Sequence, residues 1–202
     1  MTELEKMLKG ELYLSSNEDL TNKRLYARKI TNKYNKTKYH QNQKRNKLLK
    51  KLIGSLGENP TITPTFNCDY GFNIKIGDNF YCNFDCIFLD VNEIIIGNNV
   101  MFGPRVNLFT ATHPTLKDVR NKNLEYGLKI IIKDNVWIGG NTTINPGVTI
   151  GENSIIGSHS LVTKDVPPNV IAGGVPAKVI REITKEDYLE WKKKEENYYK
   201  GK

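Results

Sequence analysis

The sequence predicts a mainly β protein in which a parallel β-helix follows an N-terminal helical cap and precedes a C-terminal helix. The main observation is a branched apolar residue at every sixth position between residues 132 and 162. A helix brings a face back every 3.6 residues and a simple strand every two, so this period fits neither. Hexapeptide repeats are typical of a parallel β-helix, in which three of them form a coil of about 18 residues. The repeating residues are Ile132, Ile138, Ile144, Ile150, Ile156 and Val162.

A second observation is that the same period occurs upstream, in Ile96, Phe102 and Leu108. The two runs are in phase because Ile96 and Ile132 are 36 positions apart. Residues 110–129 between them are mostly polar and do not repeat, so we expect them to leave the coil as a loop and return. Excursions of this kind from a solenoid are frequent sites of function.

A looser version of the period lies further upstream and places the start of the β-helix near residue 60. Its members also return every six positions, but their phase is two residues off that of the later run. We expect them to form degenerate first coils. They are Ile76, Cys82, Phe88 and Ile94.

Three helical segments are predicted before the β-helix. The first spans residues 3–9, and the second begins after the N-cap candidates at 15–17 and runs to about Tyr34. The third spans roughly residues 41–53, where apolar residues at three-to-four spacing give it one docking face. Because a solenoid needs its open end covered, we expect these helices to form a cap over residues 1–58.

The chain changes character after the last coil. Pro167 and Pro168 exclude a helix, and residues 171–177 contain two glycines that permit a tight turn within an extended segment. Residues 184–187 resemble a helix-capping pattern, so a C-terminal helix is expected to follow. The predicted units are a helical cap at 1–58, a β-helix at 59–183 with an excursion loop at 110–129, and a C-terminal helix with a tail at 184–202.

The composition, with 38% hydrophobic and 26% charged residues in 202, is typical of one soluble domain. No apolar run approaches the roughly 20 residues of a membrane span, and the first residues lack the apolar core of a signal peptide. We therefore expect a cytoplasmic protein without a membrane partner. The cysteines Cys68, Cys82 and Cys86 form no CxxC pair, which favours buried thiols over a disulfide framework or a zinc site.

The net charge of +8 is concentrated in the first 60 residues, which hold 14 Lys and Arg against 6 Asp and Glu. Residues 20–57 contain 12 basic residues and no acidic one. Such a run forms either a patch for nucleic acid or an anionic surface, or a solvated helical face. We favour the solvated face because few aromatic residues are interleaved, and we predict no nucleic-acid partner.

Eight short motifs occur in order along most of the chain. They are Gly10-Glu11-Leu12-Tyr13, Asp69-Tyr70-Gly71, Asn83-Phe84-Asp85, Ala111-Thr112-His113-Pro114, Trp137-Ile138-Gly139-Gly140, Asn145-Pro146-Gly147-Val148, Val162-Thr163-Lys164-Asp165 and Gly174-Val175-Pro176-Ala177. Together they resemble the maltose and galactoside O-acetyltransferases, which are hexapeptide-repeat acyltransferases, and the maltose type most of all. The resemblance implies a left-handed β-helix, a homotrimer with active sites between neighbouring subunits, and acetyl-coenzyme A (acetyl-CoA) as the donor.

Transfer of an acetyl group to a sugar hydroxyl needs a base, and histidine suits that role. Of three histidines, His40 lies in the predicted cap and His159 in a repeat turn, whereas His113 stands where the coil gives way to the excursion. His113 also belongs to the Thr-His-Pro motif of the resemblance, so we predict that it is the catalytic base. Glu125, at the return of the excursion, either orients the imidazole and holds its charge or is a solvated loop carboxylate.

The resemblance places Asp69, Asn83 and Asp90 where the family meets its acceptor. Their amide and carboxylate groups suit hydrogen bonding to sugar hydroxyls, although a corner-turning role is the alternative for Asp69 and Asp90. Galactoside enzymes carry an acidic sugar contact near position 15, where this chain has Ser15. The acceptor therefore stays open among maltose, glucose and a galactoside.

Coenzyme A joins a long pantetheine arm to an adenosine phosphate head, so it needs a narrow groove with cations at its far end. By resemblance, four residues line this groove and two cations meet the phosphates. The backbone N–H of Gly140 is a candidate hydrogen-bond donor to the oxyanion of the tetrahedral intermediate. They are Gly140, Ser158, Thr163 and Lys164 for the groove, and Lys178 and Arg181 for the phosphates.

Three other functions are weighed against this one. A β-helical carbonic anhydrase would bind zinc through three histidines, but those of this chain do not stand at ligand spacing. A non-catalytic trimeric scaffold is disfavoured by His113 and by the donor-site residues. Within the enzyme class, the alternative is acetylation of another hydroxyl acceptor, such as a nodulation-type oligosaccharide or a xenobiotic.

Overall fold

The computed structural model describes residues 1–201 and opens with a helical cap. Its first helix is closed at both ends, because Thr2 and Glu5 exchange capping hydrogen bonds and Gly10 has a φ of 74°. The three helices lie where the sequence predicts them. The cap comprises α1 (Glu3–Lys9), β1 (Tyr13–Leu14), α2 (Glu18–Asn35) and α3 (Asn42–Leu52).

A parallel β-helix follows, and the predicted fold class is confirmed. Its strands before the excursion are β2 (Ser55–Leu56), β3 (Thr61–Ile62), β4 (Phe66–Cys68), β5 (Ile74–Ile76), β6 (Tyr81–Cys82), β7 (Cys86–Leu89), β8 (Ile94–Ile96), β9 (Met101–Phe102) and β10 (Asn107–Phe109). The excursion contains β11 (Ala111–Thr112), α4 (Lys117–Arg120) and β12 (Leu124–Gly127). The later strands are β13 (Ile130–Ile132), β14 (Trp137–Ile138), β15 (Thr143–Ile144), β16 (Thr149–Ile150), β17 (Ile155–Ile156) and β18 (Leu161–Val162).

Each coil contributes one strand to each of three faces. The first face is β2-β5-β8-β13-β16, the second contains β3-β6-β9-β14-β17, and the third is β4-β7-β10-β15-β18. Three edges join them. The corners that follow the first face form the asparagine edge, at residues 57–60, 77–80, 97–100, 133–136 and 151–154. The corners that follow the second face form the middle edge, at residues 63–65, 83–85, 103–106, 139–142 and 157–160. The corners that follow the third face form the excursion edge, at residues 69–73, 90–93, 110–129, 145–148 and 163–166.

The length of a coil changes along the helix. In the early coils Ile76 pairs with Ile96, 20 residues later, whereas Ile132 pairs with Ile150, 18 residues later. Ile96 pairs directly with Ile132, so the excursion is inserted without disturbing the register. The two extra residues of the early coils lie at the excursion edge, and this explains the two-residue phase difference in the sequence.

Inward side chains form one continuous apolar core. Phe66, Phe80, Phe88 and Phe102 stack edge-to-face inside it, with ring centroids 5.1 to 5.9 Å apart. All three cysteines are free and buried, as expected from their place in the period. The cap helices α2 and α3 add their apolar faces to the same core, so the first coil is covered.

The excursion is more ordered than the loop that the sequence predicts. Strands β11 and β12 form an antiparallel hairpin with α4 near its tip, and β12 also pairs with β1 of the cap. A short three-stranded sheet therefore joins the N-terminal segment to the excursion. Because its contacts link segments more than 100 residues apart, no local pattern could reveal it.

The junctions differ slightly from the predicted boundaries. The first coil begins at Ser55, before residue 58, because Gly54 already packs against the next coil; a Cβ there would lie 2.1 Å from the carbonyl oxygen of Phe72. After the last coil come β19 (Val170–Gly174) and β20 (Ala177–Glu182), an antiparallel hairpin, and then α5 (Lys185–Lys200). Among residues 1–201, no helix has the length and apolar character needed to cross a bilayer.

Candidate active site

The cap and the excursion are joined by the backbone at the excursion edge. Tyr13 pairs with Glu125 in the antiparallel register, and the N–H and Oγ of Ser15 both donate to the carbonyl of Asn123, at 3.2 and 3.1 Å. These contacts bring three segments that are distant in sequence to one place. A cavity of about 360 Å³ lies between them, and its walls include Ser15, Arg24, Arg28, Asp69, His113 and Glu125.

The predicted base and its carboxylate meet in this cavity. Nε2 of His113 lies 3.9 Å from Oε2 of Glu125, which is within ion-pair distance but longer than a direct hydrogen bond. The imidazole is 54% exposed and the carboxylate 16% exposed, so the base faces solvent and the carboxylate is held behind it. Glu125 is therefore not a solvated loop residue.

Asp69 faces the same cavity in a strongly charged setting. Burial raises the pKa of its carboxyl, and the nearby carboxylate of Glu125 raises it further, while Arg24 and Arg28 oppose both effects. Arg24 is itself held in place, donating to the hydroxyl of Tyr70 at 2.6 Å and to the carbonyl of Ser15 at 2.7 Å. Two carboxylates and two guanidinium groups thus share one small cavity.

Asp90 lies beneath this cavity rather than in its wall, which corrects its placement as an acceptor contact. Its side chain is fully buried, and its oxygens accept hydrogen bonds from the backbone N–H groups of Asp69, Tyr70 and Asn73 at 2.8 to 3.3 Å. Burial raises its pKa to about 7 despite these bonds. The corner-turning alternative fits, because Asp90 shapes the corner that presents Asp69.

Asn83 is not part of this cavity. It stands on the middle edge, at the opposite side of the third face, and its Oδ1 accepts a hydrogen bond from the N–H of Phe84 at 2.8 Å. In one chain it is therefore separated from His113 by the width of that face.

The predicted donor residues are divided between two edges and the terminal hairpin. Gly140 and Ser158 lie on the middle edge, Thr163 and Lys164 follow β18 on the excursion edge, and Lys178 and Arg181 lie on β20. Gly140 is confined, since a Cβ there would come within 3.0 Å of Pro104. The guanidinium of Arg181 donates two hydrogen bonds to the carboxylate of Asp187, at 2.5 and 2.9 Å. Hydrogen bonding from Arg181 is the largest cause that lowers the pKa of Asp187 to about 2.

The other histidines have structural surroundings. His159 has a φ of 59° at a corner of the middle edge, and its Nε2 lies 3.3 Å from Nδ2 of Asn141. His40 stands edge-on to Tyr39 between α2 and α3. Within residues 1–201, no group of three or more His, Cys, Asp or Glu side chains is arranged to hold a metal ion.

Sequence reasoning missed three residues of this site, namely Tyr13, Arg24 and Arg28. Tyr13 belongs to a motif of the resemblance, but its partner was not visible, because Glu125 is 112 positions away. The two arginines are four positions apart on α2, a spacing that puts both on one helix face. This four-residue spacing can be read from the sequence, within the basic run at residues 20–57 for which we favour a solvated helical face.

The chain matches two family models and several named proteins. Residues 6–57 match the maltose acetyltransferase hexapeptide capping motif, and residues 129–164 match the bacterial transferase hexapeptide, with six repeats. The galactoside O-acetyltransferase of Escherichia coli is 43% identical over 183 residues, which are 91% of this chain and 90% of that protein.

Solved structures give the same result. A maltose O-acetyltransferase from Clostridium difficile superposes with a TM-score of 0.90 at 48% identity, covering 92% of this chain and 99% of that one. A galactoside acetyltransferase in complex with coenzyme A superposes with a TM-score of 0.89 at 41% identity, covering 93% and 94%. The similarity runs from the cap to the last coil and confirms the resemblance found in the motifs. The chain belongs to the maltose and galactoside O-acetyltransferase family.

Proposed function

We propose that this acetyltransferase moves the acetyl group of acetyl-CoA to a hydroxyl of a sugar such as maltose, glucose or a galactoside, by direct transfer with His113 as general base. The observation that carries the proposal is the cavity in which an exposed imidazole stands 3.9 Å from a largely buried carboxylate. Acetyl-CoA supplies the activated thioester when bound. All other steps fall to side chains of this protein.

His113 withdraws the hydroxyl proton as the oxygen attacks the thioester carbonyl, because a sugar hydroxyl is a weak nucleophile until it loses that proton. The new C–O bond replaces the C–S bond, and the imidazolium returns the proton to the thiolate that leaves as the free thiol of coenzyme A. General-base catalysis of this kind contributes about 10² to 10⁴ in rate. The imidazole becomes positively charged at that moment, and the negative charge of Glu125 stabilises it from behind. No covalent acetyl-enzyme is required, and the buried thiols of Cys82 and Cys86 have no part in the reaction.

The acceptor is held by the polar wall of the cavity. Asp69 accepts hydrogen bonds from sugar hydroxyls, and Ser15 can donate or accept. Asp90 acts indirectly, by holding the corner that carries Asp69. Acetylation of a nodulation-type oligosaccharide or a xenobiotic hydroxyl is the alternative, because the same groups would bind any polyhydroxylated acceptor.

The donor groove requires a second subunit, and we propose that it forms in a homotrimer. Asn83, Gly140 and Ser158 lie on the middle edge, whereas His113 lies on the excursion edge. About six residues of extended chain, or up to roughly 20 Å, separate the two edges. One chain therefore cannot place both sets around one reacting carbonyl. If the middle edge of one subunit meets the excursion edge of its neighbour, the two sets share one groove.

An exposed apolar column supports contact between subunits at the middle edge. Tyr81, Met101 and Trp137 are stacked in register on the outside of the second face, and each is 40% exposed or more. Burial of such a column against a neighbour would remove apolar surface from water, which stabilises an assembly.

The residues present fit a coenzyme A molecule. Gly140 carries no side chain that could block a narrow groove, and its backbone lies close to Pro104. Exposed Lys178 and Arg181 offer cations for its phosphates, and exposed Lys164 lies beside Thr163 in the proposed groove lining.

A thiol-release assay with acetyl-CoA and a panel of maltose, glucose, a galactoside, a nodulation-type oligosaccharide and a phenolic xenobiotic tests the function. We expect acceptor-dependent release with at least one of the three sugars. Release only with the last two acceptors would support the alternative function. No release with any acceptor, from protein that elutes as a folded trimer, would favour a scaffold.

A further inference from the structure

The phenol of Tyr13 holds one oxygen of the carboxylate that faces His113. Its O–H donates to Oε1 of Glu125, while Oε2 of the same carboxylate is the atom 3.9 Å from His113. The two oxygens therefore face different partners. Rotation of the carboxylate away from the imidazole would break the hydrogen bond to Tyr13.

Tyr13 is held rigidly in this position. Its side chain is 0% exposed and packs in a small apolar cluster with Met7, Leu20, Tyr70 and Val91. Because Tyr13 and Glu125 are direct partners across the β1–β12 pair, their side chains leave the sheet on the same face. A buried ring on a paired strand has few alternative rotamers, so the hydroxyl is a fixed point.

The phenol is a permanent donor. Burial raises the pKa of Tyr13 above its ordinary value, and the bond to Glu125 raises it further. The hydroxyl therefore stays protonated over the whole working range and does not itself titrate. Asp69 on the corner and Arg24 and Arg28 on α2 are the other charged groups around the carboxylate, and both arginines would attract it if it were released.

We infer that Tyr13 is a positioning residue for the acetyl-transfer reaction, which fixes Glu125 so that its second oxygen faces the imidazole of His113. The inference rests on the proposed function of His113 as base. It gives the N-terminal cap a role beyond covering the open end of the solenoid. The strand β1 carries a group that aligns the charge behind the base.

The variant Tyr13→Phe tests this inference, because it removes only the hydroxyl. We expect kcat to fall about tenfold, since a small misplacement of a catalytic group is enough for such a loss. The KM values for acetyl-CoA and sugar should stay within about twofold of the original, because the buried phenol touches neither.

Tyr34→Phe is the matched control. Tyr34 is also 0% exposed and donates a buried hydrogen bond, but its acceptor is the backbone carbonyl of Ile62, outside the cavity. Both variants should lose comparable thermal stability, since each loses one buried hydroxyl bond. Only Tyr13→Phe should lower kcat. Equal kinetic effects of the two variants would mean a merely structural role and would overturn the inference.

A double-mutant cycle with Glu125→Gln completes the test. If Tyr13 acts through Glu125, adding Tyr13→Phe to Glu125→Gln should lower kcat by less than about twofold. A full tenfold further loss in the double variant would overturn the inference. If His113→Ala keeps its activity, the proposed base is wrong and the inference falls with it. An inactive His113→Ala together with an unchanged Tyr13→Phe would refute the inference alone.

Discussion

Two edges of the same β-helix differ in how they use their polar side chains. On the asparagine edge, six asparagines stack along the helix, each at a φ between 53° and 60°. The Nδ2 of each of the first five donates to the Oδ1 of the next at 2.9 to 3.3 Å. Every coil turns there in the same way. They are Asn59, Asn79, Asn99, Asn135, Asn153 and Asn169.

The excursion edge departs from the repeat in the early and middle coils. Its early corners carry two extra residues, its middle corner opens into the excursion, and its carboxylates face a cavity or the backbone of another corner. A regular ladder satisfies its own donors and acceptors, so no group is left to bind a substrate. Departure from the repeat is what leaves Asp69, His113 and Glu125 available. The following predictions test that contrast.

The largest effect is expected at the excursion edge. His113→Ala should lower kcat by about 10² to 10⁴, because proton withdrawal is lost while both substrates still bind. Thiol release under saturating substrates measures this. His40→Ala, which changes a histidine remote from the cavity, is the control and should keep full activity. Near-normal turnover of His113→Ala would show that the excursion edge does not supply the base.

The asparagine edge should respond in stability and not in catalysis. Asn135→Ala removes two hydrogen bonds of the ladder and places an alanine at a φ of 58°, which is unfavourable for a residue with a Cβ. The free energy of unfolding should therefore fall by about 2 to 4 kcal/mol. Asn135→Gly tolerates that φ and should cost about half as much. Urea unfolding and kcat, measured side by side, check both. A large loss of kcat in either folded variant would remove the contrast between the edges.

Asp90 predicts a pH dependence of stability for the excursion edge. Because its pKa is raised to about 7, the folded protein holds a proton that the unfolded chain releases above about pH 4. The contribution of Asp90 to stability is therefore complete below pH 4 and is lost as the pH rises to about 7. The free energy of unfolding should fall by on the order of a few kcal/mol over this range. Urea unfolding between pH 4 and pH 8 should show this decline, and Asp90→Asn should flatten it. An equal slope in the variant would contradict the assignment.

The smallest effect is expected at the terminal hairpin, away from both edges. Arg181→Ala should raise the KM for acetyl-CoA by roughly fivefold, because one exposed phosphate contact is lost, and should leave the KM for the sugar unchanged. Lys192→Ala on α5, which breaks an exposed pair with Glu195, is the control and should change neither value. A change in the KM for the sugar alone would mean that Arg181 does not contact the donor, and would contradict this placement of the donor groove.

Much of the fold was predictable because its signal is local. The six-residue period from Ile132 to Val162 gave the coils and their inward residues, and the phase difference at Ile94 and Ile96 marked extra residues at one edge. Helix caps and spacing gave the cap and the C-terminal helix. The resemblance named the family and predicted His113 as the base, and His113 lines the cavity.

The assembly of the site was decided by the tertiary structure. Ser15, Arg24, Asp69 and Glu125 share one cavity because β1 pairs with β12. Asp90 lies beneath this cavity because its carboxylate satisfies three backbone N–H groups of a neighbouring coil. The sequence by itself determined the repeat, since each corner depends on residues within a few positions. The strand pairing that builds the site depends on backbone hydrogen bonds between segments 112 positions apart, and such bonds leave no periodic trace in the side chains.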